Sequence, residues 1–431
     1  RDAVPDEKRE SVQDDYLVNR HNRGEPDYLK LLPTQRDREA YSALIAGTPP
    51  PGGSRIADAK RLFAEVLRGQ DGDGRRIDPL RVLQVVVTEL QVVSINLGDA
   101  DDPYLIFERL NYKGEPLTQA DLIRNYILMR FRHSLGSGGD QERVHQRYWQ
   151  PMEEDLGTAL TDFLGHFVML CRERSTRGAV YAAMKARLRD LDPAALESEL
   201  CRMQTLSRHY AVFVTPGRES VAPVRAYLDN LKELKVTTIY PLLMRLFEYR
   251  ASGHIADAGL QSALANLETL LVRRSVCGVP TNQLERIFSR WGRELPTDDT
   301  LGWLTDRIRE GSGNRRCPSD REFRTALESG DLYHKDICRF ILTSLERARD
   351  SREPADLSGT QTEHIMPQTL TDVWKADLGP MWQQDHEQLL HTLGNLTLSG
   401  YNAKLANAPF PEKRTNYAES HVDLTLSLIH I

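Results

Sequence analysis

Apolar residues recur at helical spacing along most of the chain, and departures from this spacing divide it into three parts. The first part contains two predicted helices, Thr34–Gly47 and Ile56–Leu67, separated by a loop rich in proline and glycine. Residues Leu90–Gly98 instead alternate between apolar and polar positions, which is typical of a strand. Residues 1–135 are therefore predicted to form a partly α/β region.

The middle part is predicted to be entirely α-helical. The N-terminal part, before it, ends with a predicted helix that begins at Thr118, where Asp121 follows at the spacing of a capping box. From residue 136 to residue 350 the apolar residues keep helical spacing with only short interruptions, whereas residues 351–431 lose it and gain prolines, tryptophans and asparagines. The predicted fold is mostly α, with a partial α/β N-terminal region, an all-α middle and a small C-terminal domain.

Composition adds limits on the class of protein. The chain has 431 residues, of which 40% are hydrophobic and 27% charged, as expected for a globular protein with a core. No apolar run approaches the roughly 18 to 20 residues that a membrane helix needs. The 5 cysteines are scattered and form no Cys-x-x-Cys pair, which argues against a disulfide framework or a cysteine–zinc site. A reducing, cytoplasmic setting is predicted.

The charge is unevenly distributed. The net charge is −6, and residues 351–431 alone carry 5 Lys and Arg against 10 Asp and Glu. Residues 172–189 hold 6 basic residues and 1 acidic residue, and helical spacing turns Lys185, Arg187 and Arg189 away from the predicted core. Such a run is usually a solvated helix face, but the acidic C-terminal part favours these cations as contacts to a DNA backbone.

The segment with most chemical information lies near the C-terminus, where Thr-Glu-His-Ile-Met-Pro-Gln (362–368) precedes Leu-Gly-Asn-Leu-Thr-Leu (393–398). A strand carrying Glu363 and His364, a second strand after Asn395 and a helix carrying Asn402 would bring these four side chains together. Phosphodiester hydrolysis needs a base for water, and neutral histidine is a base near pH 7. Carboxylate and amide oxygens suit Mg²⁺. For a lone histidine, a structural role on a strand would be the simpler interpretation.

These motifs, together with Asn-Ala-Lys-Leu-Ala-Asn (402–407), Phe410 and Lys413, resemble an HNH (ββα-metal) nuclease domain. More narrowly, they resemble the nuclease half of GmrSD-type, modification-dependent restriction enzymes. Residues Ile106–Leu128 are similar to the end of the partner half of that family. The order of parts is that of its single-chain, phosphorothioate-sensing members.

The resemblance implies a role for each matching residue. His364 corresponds to the general base, and Asn402 corresponds to a ligand of Mg²⁺ or another divalent cation. Glu363 corresponds to a second ligand or to the residue that organises it, and Asn395 to the catalytic-site residue that braces the loop and orients the histidine. Phosphate contacts are predicted for Lys404, Lys413 and Arg414, with idle surface charges as the alternative. Two nearby histidines, His386 and His391, match no motif position and are predicted to be structural.

The family's first half resembles ParB-like nucleotide hydrolases, which carry an Asp-Gly-Gln-Gln-Arg motif. This motif is absent from the sequence, and Asp71–Arg76 has the wrong spacing for it, so we expect the motif upstream of Arg1. Arg109, Asn111 and Lys113 are candidates to line a pocket for GTP or ATP, with a polar loop as the equal alternative.

Together these features predict a modification-dependent anti-phage endonuclease that nicks double-stranded, modified DNA under the control of an NTP-hydrolysing N-terminal half. Companion restriction-modification proteins are expected partners, and the oligomeric state is left open. Two alternatives are an RNA-directed or toxin-type HNH nuclease and a catalytically inactive sensor of DNA modification.

Overall fold

The computed structural model describes residues 6–22, 27–33, 35–70, 72–91, 117–135, 139–171, 180–349, 355–400 and 405–430. The chain divides into two compact units, residues 1–101 and 102–431. The described residues are mostly helical, and they contain one small sheet of two strands.

The described residues of the first unit form the α-helices Asp6–Tyr16, Gln35–Ala46, Arg55–Arg68 and Pro79–Thr88. The two helices expected from the apolar pattern are thus confirmed to within a residue or two. Ser54 begins the third helix by accepting a hydrogen bond from the backbone N–H of Ala57, and Gly47 ends the second with a φ of +77° that favours glycine. Most of the predicted strand 90–98 lies outside the described residues.

The described part of the second unit opens with the helix Gln119–Leu135, whose start was predicted correctly. The Thr118 Oγ1 accepts the N–H of Asp121 at 3.1 Å, while a carboxylate oxygen of Asp121 accepts the N–H of Thr118 at 3.2 Å. This reciprocal pair satisfies two N–H groups that have no partner within the helix.

The middle of the chain is helical throughout its described residues, as predicted. One large core runs through this bundle and contains Trp149, Phe163, Tyr210 and Phe288, each almost completely buried. The α-helices from residue 117 to residue 349 are Gln119–Leu135, Gly139–Val144, Gln150–Leu156, Leu160–Cys171, Val180–Leu188, Pro193–Val214, Ala222–Glu233, Tyr240–Ala251, Asp257–Val276, Leu284–Glu294, Thr300–Arg309, Asp320–Ser329 and Cys338–Arg347.

The last part combines two short antiparallel strands, β1 (Gln361–His364) and β2 (Leu396–Ser399), with short helices. Its α-helices are Asp372–Leu378, Trp382–Leu389, Phe410–Tyr417 and Asp423–Leu426. Leu396 and Leu398 of β2 share a core with residues of the preceding helices, among them Val276 and Leu342. The region expected to form a separate domain after residue 350 is therefore packed on the bundle.

A buried carboxylate fixes the end of the chain to this core. Both oxygens of Glu346 accept backbone N–H groups, those of Asp423 and Leu424, each at 2.7 Å. A carboxylate at the first turn of a helix satisfies N–H groups that have no partner within the helix, and it interacts favourably with the helix dipole.

None of the described helices combines the length and the apolar character needed to cross a lipid bilayer.

Candidate functional site

The two strands place His364 at the centre of the candidate site. In the antiparallel register Glu363 faces Thr397 and His364 faces Leu396. Neighbouring side chains on a strand point to opposite faces of the sheet. Glu363 and His364 therefore lie on opposite faces, although they are adjacent in sequence.

The imidazole of His364 lies among aromatic and polar side chains. Its Nε2 is 3.3 Å from Nδ1 of His391, and its Nδ1 is 3.4 Å from Nε2 of Gln368. The ring of Tyr333 lies 4.3 Å from the His364 ring, centre to centre. Burial, followed by the neighbouring His391 and Lys413, lowers the pKa of His364 to about 4. The imidazole is therefore neutral at pH 7 and able to accept a proton.

His391 is held in place through its own backbone. Its carbonyl oxygen accepts the N–H of Leu332 at 2.9 Å and that of Tyr333 at 3.3 Å, and its ring stacks on Tyr333. The ring of His334 lies 4.4 Å from the His391 ring and is hydrogen-bonded through Nδ1 to Asp331 at 2.8 Å. Burial lowers the pKa of His391, and His334 contributes in the same direction. A row of histidines thus leads from buried His364 to exposed His334.

Asn395 fastens the loop that follows β1. Its side-chain oxygen accepts the N–H of Met366 at 2.6 Å, and its amide group donates to the carbonyl oxygens of Met366 at 3.0 Å and Leu390 at 2.8 Å. The backbone carbonyl of Asn395 also accepts the N–H of Ile365 at 2.9 Å. These bonds fix the segment immediately after His364, and the part of Asn395 in catalysis stays a prediction.

Glu363 is paired with a buried lysine on the helix Phe410–Tyr417. The ammonium of Lys413 donates to Oε1 of Glu363 at 2.8 Å and to the carbonyl oxygen of His364 at 2.7 Å. Burial raises the pKa of Glu363 and lowers that of Lys413, and the attraction between the two charges opposes both shifts. The hydroxyl of nearby Tyr417 is buried without a hydrogen-bond partner among the described residues.

This pairing corrects the expectation for Lys413, which was predicted to contact DNA phosphate as a surface cation. Its side chain is 0% exposed, so its charge is used inside the protein rather than at the surface. The carboxylate of Glu363 is paired with Lys413, and its role towards a metal ion stays a prediction. Arg414, the next residue, is exposed and free of this constraint.

Five predicted site residues lie outside the described part of the chain. They are Asn402 and Lys404, which follow β2 in the sequence, and the candidate nucleotide contacts Arg109, Asn111 and Lys113. Among the residues that the structure does describe, no three His, Cys, Asp or Glu side chains are arranged to hold a metal ion.

The predicted DNA-binding helix has its apolar side buried, as expected, with Val180, Met184 and Leu188 in the core. The cations on its other side have internal partners. Arg187 pairs with Glu199 at 2.6 Å, Arg189 pairs with Asp190 at 3.1 Å, and the Lys185 ammonium lies against the rings of Tyr126 and Tyr181.

The sequence interpretation missed the position of His391, which was taken as structural but lies against His364. The one signal in the sequence was that it lies two residues before the Leu-Gly-Asn-Leu-Thr-Leu motif. Tyr333, His334 and Asp331 carried no motif at all and reach the site through the fold. For His386 the structural interpretation agrees with the geometry, because its Nε2 lies 3.0 Å from the carbonyl oxygen of Pro367.

Comparison with known proteins covers this same part of the chain. Residues 317–431 match the family described as GmrSD restriction endonucleases, C-terminal domain. No curated protein matches the chain. The match begins at Cys317, ahead of the boundary expected near residue 351, and it includes the turn that carries Asp331, Tyr333 and His334. Residues 317–431 are therefore similar to the C-terminal domain of GmrSD restriction endonucleases.

Proposed function

We propose that this protein is a DNA-nicking endonuclease of anti-phage defence that acts on modified DNA, with its hydrolytic site around His364. The observation that carries the proposal is the position of His364. It ends a strand inside the matched region, it is neutral at pH 7, and its ring is oriented by His391 and Gln368. One such site cuts one strand, so nicking is the expected product.

In the proposed step, His364 accepts a proton from the water that attacks phosphorus, the P–O bond to one sugar oxygen of the DNA backbone breaks, and that oxygen leaves and takes a proton from solvent. A base acts efficiently only when its ring is held in the geometry of proton transfer. Here Tyr333 packs against the ring, Lys413 holds the backbone carbonyl of His364, and Asn395 holds the N–H of Met366 two residues later. Which ring nitrogen of His364 carries the hydrogen depends on the orientation of the Gln368 amide.

Dependence on Mg²⁺ or another divalent cation is part of the proposal and comes from the HNH resemblance. Such an ion would neutralise charge that develops on the phosphate. The described residues do not by themselves form its ligand set. Glu363 does not fit as a ligand, because its carboxylate is held by Lys413 and lies on the face of β1 opposite to the His364 side chain.

We further propose that the DNA modification is a phosphorothioate and that GTP or ATP hydrolysis by the N-terminal half regulates cutting. Both proposals depend on the family resemblance and on the candidate nucleotide contacts Arg109, Asn111 and Lys113. Hydrolysis of each nucleotide by the purified chain, and its effect on cutting of modified and unmodified DNA, tests them separately from the nuclease.

The nuclease is tested with supercoiled plasmid in Mg²⁺, comparing the wild type with His364→Ala on unmodified and phosphorothioate-bearing DNA. Open circles from the wild type and none from His364→Ala are expected. His421→Ala is a matched control, because this histidine is exposed and lies in the same region. Equal activity of His364→Ala and wild type would refute the assignment of the base.

The same experiment separates the alternatives. Degradation of cellular RNA by the wild type, without nicking of either plasmid, would identify an RNA-directed nuclease. Binding of modified DNA with no cleavage of DNA or RNA would identify an inactive sensor.

A further inference from the structure

A cavity of about 440 Å³ lies in the helical bundle, apart from the residues around His364. It is formed by the helices Leu284–Glu294 and Thr300–Arg309 and by the turn Gly311–Arg315 that follows them. Four arginines and two glutamates line it, which leaves an excess of two positive charges. The cavity is thus a basic recess in a protein whose net charge is −6.

Two of the four arginines have carboxylate partners. Arg290 pairs with Glu294 at 2.7 Å, and Arg307 pairs with Glu310 at 3.2 Å. The other two, Arg286 and Arg315, are exposed, and no carboxylate of the described residues lies within ion-pair distance of either. The excess charge of the cavity therefore belongs to Arg286 and Arg315.

The buried side chain of Arg274 fixes the turn that carries Arg315. The Arg274 guanidinium donates to the carbonyl oxygens of Asn314 at 2.9 Å and Arg316 at 3.0 Å. Arg316 is in turn held by two hydrogen bonds of 2.6 Å to the carboxylate of Glu322. Arg315 stands between these two anchored residues, so its backbone position is set even though its side chain has no ion-pair partner in the described structure.

The recess also has an apolar floor, made by Ile287 and Trp291, which are both nearly buried. Guanidinium groups on a partly desolvated surface bind phosphate oxygens more strongly than they do in open water, because two parallel hydrogen bonds add to the charge attraction. An excess of two positive charges matches one or two phosphodiesters better than a nucleoside triphosphate of about four negative charges.

We propose that the Arg286–Arg315 recess binds the phosphodiester backbone of DNA. The inference rests on the proposed nuclease function, because it names the surface that holds the substrate. Residues 351–431 carry more acidic than basic residues, so phosphate affinity has to come from another part of the chain. The helix Asp257–Val276 connects the recess with the region around β2. Arg274 of this helix anchors the turn, and Val276 lies in the core that contains Leu396 of β2.

The test measures the affinity of the full chain for a short DNA duplex at several salt concentrations, without divalent ions so that no cleavage occurs. The variants are Arg286→Gln/Arg315→Gln and the control Arg208→Gln/Arg225→Gln. The control removes the same charge from two other helices of the bundle. Each lost phosphate contact lowers the slope of log affinity against log salt by about 0.9. We expect the first variant to lose one to two such contacts and about tenfold or more in affinity, while the control resembles the wild type.

Plasmid nicking, measured in parallel, separates the two proposals. Normal nicking and an unchanged salt slope in Arg286→Gln/Arg315→Gln would overturn the proposal that the recess binds DNA, but not the proposal of nuclease activity. Equal losses in both double variants would also overturn it, because only net charge would matter. A wild type that neither binds nor nicks DNA would overturn both proposals. Thermal stabilisation by ATP or GTP that disappears only in Arg286→Gln/Arg315→Gln, with DNA binding intact, would assign the recess to a nucleotide instead.

Discussion

The ammonium of Lys413 lies 2.7 Å from the backbone carbonyl oxygen of His364, although the two residues are 49 positions apart. The same ammonium neutralises Glu363 at 2.8 Å. A completely buried charge thus joins the helix Phe410–Tyr417 to the strand that ends in the proposed base. The orientation of His364 therefore depends on Lys413. In the described structure this lysine is completely buried and bonds to the backbone of His364 rather than to its ring.

Replacing Lys413 by Met is expected to destabilise the protein by about 3 to 5 kcal/mol, because Glu363 would remain buried without its partner. The double variant Glu363→Gln/Lys413→Met should regain much of this stability. It should still nick slowly, because the hydrogen bond to the His364 carbonyl is not restored. Urea unfolding and plasmid nicking measure the two effects. If the double variant loses as much stability as the single variants Glu363→Gln and Lys413→Met combined, the coupling of the pair is contradicted.

Replacing Asn395 by Asp removes two donated hydrogen bonds, to the carbonyls of Met366 and Leu390, and sets a carboxylate against those oxygens. A loss of roughly 2 to 4 kcal/mol is expected, together with reduced nicking. Asn416→Asp is the control, since this amide bonds only within its own helix, to Glu412. Equal unfolding midpoints in urea for the two variants would exclude the bracing role.

Replacing His391 by Ala removes the group beside Nε2 of His364, and nicking should fall by roughly 10- to 100-fold, as for other residues that orient a functional histidine. His334→Ala should reduce nicking less. In the described residues its ring packs against the ring of His391, and no hydrogen bond joins it to His364. Single-turnover nicking at saturating DNA separates this effect from binding. A wild-type rate for His391→Ala would assign His391 to packing alone.

The pH profile should report the environment of His364. Burial, with His391, Lys413 and His334 acting in the same direction and Asp331 opposing, lowers its pKa to about 4. The imidazole stays neutral above that pH and is protonated, and lost as a base, below it. Nicking should therefore persist as the pH falls from 7 to 5, with circular dichroism verifying the fold at each pH. An activity that titrates near the ordinary histidine pKa of about 6.5 would contradict this environment.

Neutralising Lys185, Arg187 and Arg189 together tests the helix that the sequence proposes as a DNA contact. Arg187 and Arg189 are occupied by Glu199 and Asp190, so only Lys185 is expected to contribute. The salt slope of DNA binding should change by about 0.9 or less, which is smaller than the change expected for Arg286→Gln/Arg315→Gln. A larger change in the helix variant would place the main phosphate contact there.

Local features of the fold were predictable wherever one segment contains all the interacting groups. The capping pair Thr118–Asp121 and the helices around residues 40 and 60 follow from residues within a few positions of each other. The strands at Glu363–His364 and after Asn395 were expected from the motifs and are present. The separation of residues 351–431 from the bundle was harder to judge, because Leu396 and Leu398 are buried against helices far away in sequence.

The sequence by itself determined the helical middle, the chemistry available near the C-terminus and His364 as the proposed base, because residue type and spacing carry this information. Only the tertiary structure decided what surrounds that base. It buried Lys413 against Glu363, brought His391 and Tyr333 to the ring, and left Arg286 and Arg315 facing one recess. Each of these contacts joins residues 27 or more positions apart. Burial and the resulting pairing of charges depend on which distant surfaces pack together, and the local pattern of a sequence does not contain that information.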